Sequence, residues 1–262
     1  MTASPRSARS QRASSHRALP RSDRTPHPRR LMLHGLRPVA RVLVRRRFAV
    51  RVHDADQVPA EGPVIFAANH VGVVDGPLLA IFAPRPVHAW TKLEMFRGKT
   101  GRFLTGAGQI PLDRFHPDPA AVKICLRVLR DGGTVGIFPE GSRGAGELKR
   151  FHRGAAYLAL VSGAPVVPVI FIGSREPGGH TNDLPARGGL VDVVFGAPYR
   201  FEAQPWPRSK EQVERASLLL WDRLLATLDH ARALTGRELP GPLPAAEVEP
   251  DPATGVTDQG AP

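Results

Sequence analysis

The run Pro63-Val64-Ile65-Phe66-Ala67-Ala68-Asn69-His70-Val71-Gly72-Val73-Val74-Asp75-Gly76-Pro77 reads as a strand, a turn and the start of a helix. Five consecutive apolar residues after Pro63 predict a strand buried on both faces. Asp75 before Gly76-Pro77 predicts a helix start, because Asp is a good N-cap and Pro is tolerated in a first turn. His70 and Asp75 stand five positions apart, about 140° of rotation on a regular helix, so they share no helix face. They meet only if the chain turns between them, and Gly72 permits such a turn. A carboxylate held against an imidazole fixes its tautomer and raises its basicity, which makes the other ring nitrogen a useful general base. The same residues also fit a plainer arrangement, Asp75 as an N-cap alone and His70 as a hydrogen-bonded histidine at a strand end.

The pattern continues on both sides. Residues 48–53 alternate and predict a half-buried strand, while 87–90, 134–138, 166–172 and 190–195 are apolar runs of strand length. Helical spacing of apolar residues appears over 77–83, 119–130, 151–162 and 209–234, and residues 92–108 mix helix and loop. Strands alternating with helices predict an α/β fold with a mostly parallel central sheet flanked by helices on both faces. No internal repeat or boundary divides residues 31–237, so these form one domain with a motif-bearing core at 48–200.

The ends differ in kind. Residues 1–30 hold eight Arg, one Asp and almost nothing apolar, and predict a disordered basic tail. Residues 238–262 hold five acids and no Lys or Arg among Pro, Ala and Gly, and predict a disordered acidic tail. The net charge of +12 therefore includes a strongly basic folded part, which suggests an anionic partner: nucleic acid, anionic lipid or a phosphorylated substrate. Within 31–47, Leu36, Val39, Ala40 and Leu43 share one helical face while Arg37, Arg41 and Arg45 share another. Such a basic amphipathic helix fits either a membrane interface or ordinary packing on the domain. No apolar stretch reaches membrane-spanning length, and no signal-peptide core is present. The single cysteine, Cys125, excludes an internal disulfide framework and a cysteine-rich zinc site.

Two further stretches carry chemistry. Gly108 to Arg114 (Gly-Gln-Ile-Pro-Leu-Asp-Arg) sets an arginine after a short apolar extension, and Phe138-Pro139-Glu140-Gly141-Ser142-Arg143 sets another after a buried strand. Open α/β sheets bind ligands outside the carboxyl ends of their strands, where His70, Glu140 and Arg143 fall. Arg114 and Arg143 converging there would clamp a phosphate; each alone fits equally well as a surface arginine paired with an acid. Gly98-Lys99-Thr100 is not a P-loop, since Leu93 occupies the earlier glycine position. Ser142 is not the centre of a Gly-x-Ser-x-Gly elbow, and no His or Cys spacing suggests a metal site.

Taken in order, Asn69-His70-x4-Asp75, the Gly108–Arg114 stretch, Phe138–Arg143 and Val167-Pro168-Val169 resemble the lysophosphatidic acid acyltransferase family of His-x4-Asp glycerolipid acyltransferases. The resemblance covers residues 48–200. It implies His70 as general base oriented by Asp75, with Arg114, Glu140, Gly141 and Arg143 binding the acceptor and the two arginines taking its phosphate. Val167-Pro168-Val169 would help shape the acceptor or acyl site. No cofactor or metal is implied; acyl-CoA or an acyl carrier protein would be the co-substrate and membrane lipids the partners, at the cytoplasmic face. Many members carry a serine inside the first motif, where this chain has Val71, Gly72, Val73 and Val74. The implied activity is acyl transfer to a lysophospholipid, 1-acylglycerol-3-phosphate above all, in phospholipid biosynthesis. The alternatives are the same chemistry on another lysolipid, glycolipid or alcohol, and a lipid-binding protein without turnover. No nucleic-acid-binding motif accompanies the positive charge.

Overall fold

The structure, a computed structural model, describes residues 22–205, 207–249 and 255–257. Among these, seven strands form one sheet: β1 (Ala49–His53), β2 (Val64–Ala68), β3 (Val87–Lys92), β4 (Ile110–Leu112), β5 (Thr134–Ile137), β6 (Val166–Ile172) and β7 (Leu190–Phe195). Their order is β1-β7-β6-β2-β5-β3-β4, which places β2 at the centre. All neighbours are parallel except β6 and β7, so β1 and β7 run against the other five. The helices are α1 (Leu31–Gly35), α2 (Arg37–Arg47), α3 (Asp75–Phe82), α4 (Gly98–Gly106), α5 (Pro119–Arg130), α6 (Gly154–Ser162) and α7 (Lys210–Thr235).

The unbroken apolar character of β2 follows from its two covered faces. Ile65 and Ala67 join a core with Leu126 and Leu129 of α5, Leu158 of α6 and Leu220 and Leu224 of α7. Val64, Phe66 and Ala68 join the opposite core with Leu78, Leu79 and Phe82 of α3. Local chemistry sets the helix ends. Asp118 accepts the Ala121 N–H at 2.9 Å ahead of Pro119, and Ser209 and Gln212 form a reciprocal capping box on α7. Gly236 closes α7 in the left-handed conformation, with φ of 64°. Val213, Ala216, Leu220, Leu224 and Leu228 are buried along α7, on the face their spacing indicated.

Two expectations need correction. The helix foreseen over 31–47 is two helices broken at Leu36. Arg37 and Arg41 face the domain: Arg41 Nε donates to the Ile81 carbonyl at 2.8 Å, and Arg37 donates to the Ala83 carbonyl. The last carbonyls of α3 lack helical partners, and guanidinium groups satisfy them while matching the negative end of the helix dipole. Leu36, Val39, Val42 and Leu43 are left more than half exposed. The tails also differ from their composition where they are described. Arg127 donates to the Asp23 carbonyl at 2.8 Å, and Leu239 and Leu243 pack onto the domain. Residues 1–21, 250–254 and 258–262 of the expected tails lie outside the described residues.

Gly136, opposite Phe66 in the β2–β5 pairing, lets α3 approach the sheet. A Cβ there would lie 2.8 Å from Val87 Cγ1 and 2.9 Å from Leu79 Cδ2. Gly136→Ala is therefore expected to destabilise the fold by about 1–3 kcal/mol through overpacking. Urea denaturation measures this, and unchanged stability would show that α3 is not pressed onto β5 as described.

Candidate active site

The site begins where β2 ends. Asn69 is fully buried, and its amide replaces the next rung of the ladder. Its Nδ2 donates to the Phe171 carbonyl at 3.1 Å, and its Oδ1 accepts the Phe171 N–H at 2.8 Å. With β6 satisfied by a side chain, the backbone is free to turn at His70. Asp75 then opens α3 but is not its N-cap, which is Val74. The Asp75 carboxylate reaches back into the turn instead: Oδ2 accepts the Val71 N–H at 2.7 Å and the Gly72 N–H at 2.8 Å, and lies 2.8 Å from His70 Nδ1. With two backbone N–H groups already donating to that oxygen, the short contact with the ring is a hydrogen bond donated by Nδ1–H. Nε2 is thereby left as a proton acceptor. Gly72 is needed for a reason other than a positive φ. Its Cβ would stand 2.5 Å from the Ser174 carbonyl oxygen, so any side chain would drive the turn off the end of β6.

The Phe138–Arg143 stretch grips the histidine from the β5 side. Glu140 Oε1 accepts the His70 N–H at 2.8 Å, the Gly144 N–H donates to the His70 carbonyl at 2.9 Å, and the Phe138 ring stacks on the imidazole at 4.3 Å. Glu140, which the resemblance implies as an acceptor-binding residue, is buried and holds His70 through this bond. Burial pushes its carboxyl up to about 8 against the pull of the His70 and Leu148 N–H groups. Behind both loops lies Arg175, 1% exposed. Its Nε donates to the Val71 carbonyl at 2.9 Å and its Nη2 to the Gly144 carbonyl at 3.0 Å, so one guanidinium joins the two loops.

The cationic part of the site is built by Lys92, Arg114 and Arg143. Arg114 Nη1 donates to the Gly141 carbonyl at 3.0 Å, which seats it one residue from Glu140. Gly141 has a φ of 72°, and a Cβ would meet His152 at 2.7 Å, so glycine is required there. Arg143 Nη1 is aimed by the Thr181 carbonyl and Asn182 Oδ1, both at 2.9 Å. All three cations converge on one carboxylate, Glu249: Arg114 at 2.9 Å, Arg143 at 3.7 Å, and Lys92 in direct contact. Burial pulls the Lys92 ammonium below its ordinary value, and Glu249 opposes the shift. Burial would raise the Glu249 carboxyl, but Lys92 and Arg114 outweigh it and hold it low.

The expected residues thus assemble: His70 touches Asp75, and Arg114 and Arg143 meet at a common anion. Arg175, His70, Glu140 with Arg143, Lys92 and Arg114 follow β6, β2, β5, β3 and β4, five adjacent strands in sheet order. Lys92 ends β3 and Arg175 lies just past β6, so the strand-end rule that selected His70 would have found both. Nothing in the acidic tail marked Glu249. Val167, Pro168 and Val169 are buried inside β6 alongside β2. Among the described residues, no group of three or more His, Cys, Asp or Glu is placed to hold a metal ion.

Residues 49–172 match the Acyltransferase family model. A 1-acyl-sn-glycerol-3-phosphate acyltransferase of Bacillus subtilis is 33% identical over 160 residues, which cover 60% of this chain and 77% of that protein. A chloroplastic enzyme of the same description from Arabidopsis thaliana is 27% identical over 165 residues, 58% of this chain and 44% of the relative, so the chain spans under half of that protein. The crystal structure of the 1-acyl-sn-glycerophosphate acyltransferase of Thermotoga maritima shares the fold, with a TM-score of 0.55 at 19% identity over 75% of this chain and 79% of the other. By its sequence relatives and its fold, the chain belongs to the 1-acyl-sn-glycerol-3-phosphate acyltransferase family of O-acyltransferases.

Proposed function

We propose that the chain moves a fatty acyl group from acyl-CoA or an acyl carrier protein to the free hydroxyl of a lysophospholipid, with 1-acylglycerol-3-phosphate as the acceptor, in phospholipid biosynthesis. The observation that carries this reading is the 2.8 Å contact of His70 Nδ1 with Asp75 on a strand end whose neighbours supply a three-cation cluster. A lipid hydroxyl is a weak nucleophile at neutral pH. His70 Nε2 takes its proton as the oxygen attacks the thioester carbonyl, and the imidazolium formed is stabilised by Asp75. The tetrahedral oxyanion collapses, the C–S bond breaks, and the thiolate leaves with the proton returned by His70. The products are an ester and a free thiol. Lys92, Arg114 and Arg143 hold the acceptor's phosphate, and this anchoring presents the hydroxyl to the base. Glu140, Gly144 and Arg175 act through His70 as positioning groups.

The reading extends to where the reaction takes place. No helix among the described residues is long and apolar enough to cross a membrane. Val39, Val42 and Leu43 on α2, with Leu36 just ahead of it, form an outward apolar stripe, with Arg45 and Arg46 also exposed, which supports peripheral attachment at the cytoplasmic face.

Two experiments test these readings. With labelled acyl-CoA and lysophosphatidate in mixed micelles, wild type is expected to release one thiol per ester formed. His70→Ala should lose about 10²–10⁴ in kcat, and Arg143→Ala should raise the KM for lysophosphatidate while leaving that for monoacylglycerol unchanged. Full activity of His70→Ala refutes the assigned base, and equal effects on both acceptors refute the phosphate clamp. In the second experiment, wild type co-floats with vesicles containing phosphatidylglycerol. Serine at 36, 39 and 43 should abolish that flotation; retained flotation removes α2 as the attachment surface.

A further inference from the structure

Glu249 comes from outside the sheet, and its placement has a local cause. Two residues before it, Glu247 accepts the Thr181 N–H and the Thr181 hydroxyl, each at 2.8 Å, and pairs with His180. The carbonyl of that same Thr181 aims Arg143. The loop that orients a clamp arginine therefore also fastens the segment that delivers the carboxylate. Beyond the cluster the chain is fastened again: the Val256 N–H donates to the Phe151 carbonyl at 2.7 Å, and the Thr257 hydroxyl donates to the Lys149 carbonyl at 2.8 Å.

Three cations crowded into a partly buried pocket repel one another unless an anion joins them. Glu249 supplies that anion from within the chain, and it is partly buried in doing so. A phosphate monoester has the same chemistry in stronger form. It carries up to two charges and three acceptor oxygens, against one charge and two oxygens on the carboxylate. A neutral alcohol brings nothing to put in the carboxylate's place.

We propose that Glu249 is an internal occupant of the phosphate site, which a phosphorylated acceptor displaces and an uncharged acceptor does not. Resting on the reading of the cluster as the acceptor's phosphate clamp, this makes Glu249 a specificity-determining residue that opens the site only to acceptors with a competing anion. The tether through Glu247 keeps the carboxylate at an effective concentration on the order of millimolar, so it competes even with a saturating neutral lipid.

The test compares the full-length wild type with Glu249→Gln and Glu249→Ala, and with Glu202→Gln as an exposed charge control away from the site. Binding of glycerol 3-phosphate is followed by calorimetry, which needs no turnover, and KM and kcat are measured with lysophosphatidate and with monoacylglycerol. Both Glu249 variants should bind glycerol 3-phosphate about tenfold tighter than wild type, the shift expected from losing one charge-assisted competitor. The KM for lysophosphatidate should fall with kcat unchanged, transfer to monoacylglycerol should rise, and Glu202→Gln should behave as wild type. Equal or weaker glycerol 3-phosphate binding in both variants overturns the proposal, whatever the activity. If both variants bind glycerol 3-phosphate more tightly and neither they nor wild type esterify any lysophospholipid, displacement stands and the proposed reaction falls. Turnover in wild type with unchanged binding in the variants does the reverse.

Discussion

One carboxylate oxygen holds the centre of the molecule together. Asp75 Oδ2 takes the N–H groups of Val71 and Gly72 and the Nδ1–H of His70. Hydrogen bonds to a charged group contribute roughly 1.5–3 kcal/mol each. Together they bend the chain between β2 and α3, neutralise the first free amides of the turn, and set the imidazole in one tautomer. The arrangement tolerates no extra atom at Gly72, where the Ser174 carbonyl presses against the turn. Imidazole geometry and backbone geometry are thus a single constraint: a His70 that lost the Asp75 carboxylate would also lose the turn that presents it.

A parallel sheet brings the remaining groups to that turn. Five neighbouring strands end on the same edge, and each contributes a side chain there. The loops after β2 and β5 would drift independently if nothing joined them. Arg175 joins them through carbonyls of Val71 and Gly144, and Glu140 joins them through the His70 amide. Burying a guanidinium is costly unless its donors are matched, and Arg175 also donates to the carbonyls of Gly179 and Gly241. Local rigidity at His70 is obtained from the buried Glu140 and Arg175, while Lys92, Arg114 and Arg143 are each partly exposed.

Much of this was legible in the residues. The strands at 166–172 and 190–195 and the helix at 119–130 were read to their observed ends because apolar runs and caps coincide there. The meeting of His70 with Asp75 was legible as an option that a turn at Gly72 would permit, and the convergence of Arg114 and Arg143 as an implication of the family resemblance. Direction was not legible: nothing in the composition of Leu190–Phe195 says that β7 opposes β6. The three-residue β4 was too short to show a period. The orientation of the helical stretch at 31–47 stayed open in the sequence, because Arg37 and Arg41 are drawn inward by the free carbonyls at the end of α3, which no pattern within the helix records. Glu249 was hidden for a similar reason. Its partners lie more than a hundred residues away, and its own neighbourhood reads as a solvated acidic tail.

The central claim is that Asp75 fixes the proton of His70 on Nδ1 and leaves Nε2 free to act. Nitrogen-15 NMR of histidine-labelled protein above the titration of the imidazole reads this directly. The account predicts a protonated Nδ1 and a bare Nε2 on His70 in wild type, with that preference lost in Asp75→Asn. A wild-type His70 protonated on Nε2 would contradict it, for the ring would then present a donor where the reaction needs a base.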